Sequence, residues 1–161
     1  MVFADGASRA LGRELERRTW RRAFVITTAG RARSTAGLLT DLAGIVVGRF
    51  DRAVQHVPID DVDVALQDVR RVDADVLIAI GGGSPIGLAK AIALATSLPI
   101  AAVPTTYAGS EMTGIWGITD REGKRTGRDA RVAPALVVYD PALTLDLPAE
   151  VSAASGMNAI A

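Results

Sequence analysis

Cysteine is absent from the 161 residues, and histidine occurs once, as His56. The first absence removes disulfides, thiolate metal sites and cysteine nucleophiles together, and it fits a cytoplasmic protein. Net charge is zero, so neither nucleic acid nor an anionic membrane is indicated as a partner. No apolar run approaches the ~20 residues that a bilayer span requires. The opening Met1-Val2-Phe3-Ala4-Asp5-Gly6 reaches a charge too early for a signal peptide. Lysine is scarce as well, with only Lys90 and Lys124 against sixteen arginines. Arg13, Arg17, Arg18, Arg21 and Arg22 cluster, but Glu14 and Glu16 are interleaved with them. That pattern reads as the solvated face of a helix, with a phosphate-binding patch as the alternative.

What is present is a soluble globular composition, 49% hydrophobic and 22% charged, in a chain long enough for one domain with a real core. Short apolar, β-branched runs alternate with helix-length segments. Ala23–Thr27, Ile45–Val47, Val76–Ile80 and Pro99–Val103 read as strands. Ala32 to Leu42, Asp60 to Val72 and Pro85 to Thr96 read as helices. Near-continuous apolar strands between helices predict a doubly wound α/β domain around a mostly parallel sheet. Beyond Val103 the rhythm changes. Ile115–Thr119 and Ala135–Tyr139 look like strands joined by the polar loop Asp120–Asp129, which suggests a hairpin-like excursion.

Pro148 suits the first position of a final helix running to Ala161. That helix ends on Ala159-Ile160-Ala161 without glycine, asparagine or a basic terminator. The expectation is a chain that forms the first part of a longer protein.

The stretch richest in chemistry is Ile80-Gly81-Gly82-Gly83-Ser84-Pro85-Ile86-Gly87-Leu88-Ala89-Lys90. Glycine lets backbone N–H groups approach a ligand closely, and a strand-to-helix turn adds the unpaired amides and positive dipole of a helix N-terminus, which favour phosphate. Ser84 is the expected N-cap, with Pro85 at the first helical position. Two familiar phosphate loops fail to match. A Walker loop would follow Gly87 with Lys-Ser or Lys-Thr, and Leu88-Ala89 stands there instead. A Rossmann fingerprint would place a glycine at position 86, after the first strand and not the third. A tight turn made only for packing is the competing reading. A second loop, Pro104-Thr105-Thr106-Tyr107-Ala108-Gly109-Ser110-Glu111-Met112-Thr113, is rich in hydroxyls and leaves the next strand at the same edge of the sheet. Ligands bind at that edge in open α/β sheets.

The two loops together resemble the iron-containing alcohol dehydrogenase superfamily, and within it the maleylacetate reductases. The likeness is carried by Gly81-Gly82-Gly83-Ser84, Gly87–Ala93 and Pro104–Thr113. It continues through Ile115–Thr119, Lys124, Thr126–Asp129, Tyr139–Thr144 and Ser155–Ala161. It is strong from about residue 75 onward and compatible before that. Two departures stand out: Gly87 and Asn158 occupy places where metal-dependent relatives carry aspartate. Asparagine lacks the charge of a hard carboxylate ligand, so the resemblance implies a metal-free member.

The implied fold is a dehydroquinate synthase-like, Rossmann-type nucleotide-binding domain over residues 1–147. Residues 148–161 would be the first helix of an all-helical C-terminal domain otherwise absent from this chain. The implied activity is NAD(P)H-dependent reduction of 2-maleylacetate to 3-oxoadipate in aromatic-compound degradation, by a homodimer acting on a small dicarboxylate. Gly81, Gly82, Gly83 and Ser84 would hold the cofactor diphosphate. Thr105, Thr106, Tyr107, Ser110 and Thr113 would line its adenosine and nicotinamide stretches, and Thr28 and Arg31 would lie near the adenine ribose. No acid follows the first strand directly, whereas Arg31 and Arg33 do, which favours acceptance of NADPH. Lys124 and Arg128 are candidates for the substrate carboxylates, with solvated loop charge as the alternative. The catalytic acid is expected beyond Ala161. Competing readings are a metal-dependent alcohol dehydrogenase of the same superfamily and a non-catalytic nucleotide-binding fragment.

Overall fold

The computed structural model describes the backbone of residues 1–160 and the side chains of residues 1–157. A short strand β1 (Val2–Phe3) precedes α1 (Leu11–Arg17), β2 (Ala23–Ile26), α2 (Ala29–Ser34), α3 (Ala36–Asp41) and β3 (Val46–Phe50). Then come α4 (Ile59–Arg71), β4 (Val76–Gly81), α5 (Gly83–Thr96) and β5 (Ile100–Pro104). The chain continues through β6 (Ile115–Asp120), β7 (Gly123–Arg128), β8 (Leu136–Tyr139) and α6 (Ala149–Ile160). Six strands form one parallel sheet in the order β1-β8-β5-β4-β2-β3, while β6 and β7 form a separate antiparallel pair.

Alternate residues of the central strands serve opposite faces, as the pleat requires. Phe24, Ile26, Leu77 and Ala79 pack with Val62 and Val69 of α4 and Ile86 and Ile92 of α5. Val25, Ile78, Ile80 and Val103 pack with Leu11 and Leu15 of α1 and Leu38 of α3. Both faces are therefore covered, and every residue of β4 and β5 is buried. This is the expected doubly wound arrangement.

Four local expectations change. The helix expected from Ala32 to Leu42 is two helices meeting at Thr35, whose hydroxyl donates to the Arg31 carbonyl (2.7 Å) and whose backbone leaves helical geometry. The polar "loop" after Asp120 is itself a strand, so the hairpin is β6–β7. Leu136–Tyr139 instead enters the main sheet between β5 and β1. Gly127 makes that hairpin possible, because a Cβ there would lie 2.6 Å from the Trp116 ring. The N-cap of α5 is Gly82, which moves Ser84 and Pro85 into the first helical turn. Finally, Arg21 and Arg22 lie beyond α1 and belong to no helix face: the Arg21 amide donates to Asp75, and the Arg22 guanidinium donates to the carbonyls of Val72 and Asp73, just after α4.

The two ends of the domain are stapled by Asp140. Its carboxylate accepts from the Gly6 and Ser8 amides (3.0 and 3.1 Å), from the Ser8 hydroxyl (2.5 Å) and from the Ala142 amide (3.2 Å). Burial alone would raise this carboxyl; those four donors, Ser8 foremost, outweigh it and hold the group below its usual value.

Candidate functional site

The site is assembled at the C-terminal edge of the parallel strands. Gly81 ends β4 with φ of +143°, and a Cβ there would meet the Pro85 ring at 2.6 Å. Gly82 lies so near the next loop that a Cβ would fall 2.8 Å from Thr106 Oγ1. These two glycines are required by close approach within the protein. Gly83 differs: a Cβ there would meet nothing within 4 Å. Its bareness faces open space.

The first-turn amides of Gly83 and Ser84 have no acceptor within the helix. Pro85 has no N–H to spare, and Ile86 is the first residue to donate back, to Gly82 (3.4 Å). The Thr105 amide donates to the Gly81 carbonyl (3.0 Å), which fixes the second loop beside the first. Thr105 Oγ1, by contrast, is buried with no hydrogen-bond partner. Buried hydroxyls are ordinarily satisfied, and this one lies beside a cavity from which a partner could come.

A cavity of about 1140 Å³ opens in front of these groups. Its walls include Gly82, Gly83, Ser84, Thr105 and Thr106, together with Thr28 and Arg31 from the start of α2. Thr28 already caps that helix by accepting from the Arg31 amide (3.3 Å). Lys124 of β7 and the Gln55–His56 turn form a further wall, and Glu150, Val151, Ala154 and Ser155 of α6 close the opposite side. Residues from six separate parts of the chain thus share one space.

Other sequence candidates sit elsewhere. Tyr107 lines a second, mostly apolar cavity of about 470 Å³ with Phe3, Met112 and Tyr139; the two cavities share only Thr106 among the predicted residues. Gly81 shapes the turn without lining either cavity. Ser110 and Thr113 line neither cavity; the Thr113 hydroxyl and the Ser110 backbone carbonyl both accept from Lys90. Arg128 lies at the far end of β7, opposite Ile115, away from both cavities. Asn158 falls outside the described side chains.

Sequence reading missed three features. Lys90, quoted only as part of a motif, is 1% exposed and donates to the Ser110 and Ile115 carbonyls (2.6 and 2.9 Å) and to Thr113 Oγ1 (3.2 Å). Desolvation pulls its pKa down to about 8, and the buried Glu111 carboxylate opposes that fall. The signal was available: one lysine stands inside the otherwise apolar segment Ile86–Ala93. Glu111 accepts from the Tyr139 hydroxyl (2.6 Å), and burial followed by this contact pushes the phenol well above its usual range. The third is the turn at His56 and Val57, two consecutive non-glycine residues with positive φ (66° and 48°). Thr119 of β6 clamps it, through its hydroxyl to the His56 carbonyl (2.7 Å) and its amide to the Val57 carbonyl (3.0 Å). Gly87 leaves the space Val57 occupies, since a Cβ there would stand 2.9 Å from Val57 Cγ2.

The family model for iron-containing alcohol dehydrogenases matches residues 1–141. The chain belongs to the iron-containing alcohol dehydrogenase family. Within that family it is 52% identical, over all of its 161 residues, to a maleylacetate reductase of Sphingobium indicum, of which it covers 46%. The crystal structure of maleylacetate reductase from Agrobacterium tumefaciens superimposes with a TM-score of 0.93 at 39% identity, covering 98% of this chain and 45% of that one. Sulfoacetaldehyde reductase from Bifidobacterium kashiwanohense, solved in complex with NAD+, matches with a TM-score of 0.89 at 25% identity, over 98% and 48%. The chain therefore spans under half the length of these iron-containing alcohol dehydrogenase relatives. Among the described residues no three His, Asp or Glu side chains gather where they could hold a metal ion. The iron of the family's name finds no donor set there. No described helix is long and apolar enough to cross a membrane.

Proposed function

We propose that this chain is the nucleotide-binding part of an NAD(P)H-dependent maleylacetate reductase. Residues 1–147 would form the dinucleotide domain and residues 148–161 the first helix of a helical partner domain. The observation that carries the reading is the cradle itself. Bare Gly83, the free amides of the first helical turn and the unpartnered Thr105 hydroxyl face one cavity, in a chain about half identical to maleylacetate reductases.

On this reading the Gly83 and Ser84 amides and the α5 dipole receive the diphosphate. Thr105 gains the partner it lacks, and Thr106 orients the chain of the cofactor where the two cavities meet. Arg31, free of any ion pair among the described residues, receives the adenine ribose and favours a 2′-phosphate. The reduced nicotinamide supplies a hydride to the conjugated C=C of 2-maleylacetate, giving 3-oxoadipate. Lys124, in the cavity wall, is the retained candidate for a substrate carboxylate; Arg128, off the cavity, is not. Donors or a cation at the ketone oxygen stabilise the developing enolate without a Lewis acid. The acid that completes the reaction is assigned to the helical domain.

NADH and NADPH oxidation with 2-maleylacetate tests this, using a protein that carries both domains, with and without chelator. Turnover unchanged by chelator is expected. Loss of turnover on chelation would remove the metal-free reading in favour of a metal-dependent alcohol dehydrogenase, and failure to reduce 2-maleylacetate would remove the substrate. The 161-residue chain alone should bind nucleotide and show little or no turnover. Arg31→Ala should weaken NADPH binding about tenfold, the worth of one charge-assisted contact, and leave NADH nearly unchanged.

A further inference from the structure

Lys90 contributes to none of the cavity walls, yet it joins the two loops that do. It sits on α5, two turns below Gly83. Its ammonium reaches across to three oxygens of the segment that follows Thr105 and Thr106: the carbonyls of Ser110 and Ile115 and the hydroxyl of Thr113. A buried ammonium has three protons to place, and all three are accounted for. The Ser110–Met112 turn begins at Gly109, in a left-handed conformation with φ of +72°, and no strand pairs with residues 105–114. The segment is held by Lys90, by the Tyr139 hydroxyl on Glu111, by the Thr105 amide on Gly81 and by the Asp129 amide on Gly114.

We propose that Lys90 is a positioning residue for nucleotide binding, holding the 105–115 segment against α5 so that the Thr105 and Thr106 side chains face the glycine turn. The inference rests on the nucleotide-binding reading above and adds a residue to it. A charge confined in so dry a place also makes the brace sensitive to proton loss. Glu111 is the charged side chain that acts on the ammonium. Tyr139 on β8 reaches Glu111 and not Lys90. Arg131, in the turn packed against the other end of α5, is tied to Asp129.

The test is the dissociation constant of NADH on this chain, from pH 6.5 to 9.5, for wild type, Lys90→Gln and Thr113→Val. Lys90→Gln keeps two N–H donors on a side chain one atom shorter and carries no charge; Thr113→Val removes one acceptor and leaves the lysine in place. The nucleotide does not titrate over this range, and circular dichroism checks that each variant is folded. Wild type should bind with affinity that falls several-fold as pH passes through about 8. Lys90→Gln should bind about tenfold more weakly at pH 7 with a flat profile, and Thr113→Val should lose two- to threefold. A folded Lys90→Gln that binds within twofold of wild type, or a wild-type profile that is flat, overturns the proposal and leaves the nucleotide site standing. Should Lys90→Gln fail to fold, the wild-type profile and Thr113→Val decide between the same two outcomes. No binding by wild type removes the nucleotide reading, and this inference with it.

Discussion

The parallel sheet and the β6–β7 hairpin are built on opposite terms. In β4 and β5 every side chain is buried and both faces are covered, so hydrophobic burial holds the strands and fixes their register. In β7, Gly123-Lys124-Arg125-Thr126-Gly127-Arg128, nearly every residue is exposed and none is strongly apolar. That strand exists because β6 pairs with it over six residues and because Thr119 ties the hairpin to the His56–Val57 turn. The sheet supplies rigidity, and the hairpin supplies a polar wall whose position depends on a few hydrogen bonds. The larger cavity lies where the two regimes meet: glycine turn and Thr105 on the sheet side, Lys124 on the hairpin side.

The contrast can be broken most sharply in the sheet. Ile78→Ala empties a fully buried site in β4 and should cost about 4 kcal/mol, read as a lowered urea midpoint. Thr126→Ala on β7 should stay within about 0.5 kcal/mol. Thr105→Val separates fold from function. Removing a buried hydroxyl without a partner should stabilise the nucleotide-free chain by about 1 kcal/mol while weakening NADH binding several-fold, seen by comparing thermal shifts with and without nucleotide. Thr119→Val should cost about 1 kcal/mol and speed hydrogen exchange in β6–β7, leaving the amides of β4 and β5 protected. A uniform acceleration would mean the hairpin is no separate unit. The smallest effect is in pH. The folded chain releases the Lys90 proton near pH 8, whereas an unfolded lysine keeps its proton to about 10.5. Stability therefore gains from this group as pH rises between those values, and the Lys90→Gln variant should lack that rise.

The same contrast explains how much was legible in the sequence. β2, β4 and β5 announce themselves as apolar, β-branched runs, and the doubly wound class follows from their spacing. The glycine turn and the hydroxyl loop were legible as a pair because both leave strands at one edge. β7 was hidden because its charges and glycines carry no strand signal of their own; only the fit of Trp116 over Gly127 reveals it. β1, two residues long, is a strand through its partner β8 and not through its composition. Thr113 looked like a ligand hydroxyl since sequence cannot show that Lys90, 23 residues away, donates to it, and Ser110 lies outside both cavities. The wall formed by α6 and the His56 turn is long-range in the same sense. No local pattern encodes it.

The Asp140 staple also dictates an order of events. Gly6 and Ser8 leave a ribosome well before the carboxylate they need, which arrives 134 and 132 positions later. The edge strand β1 must wait undocked while the rest of the sheet assembles, because its neighbour β8 is also made late. Contacts between such distant positions form slowly. A chain halted before Asp140 should carry a loose β1 segment open to proteolysis, and release past that point should seal it.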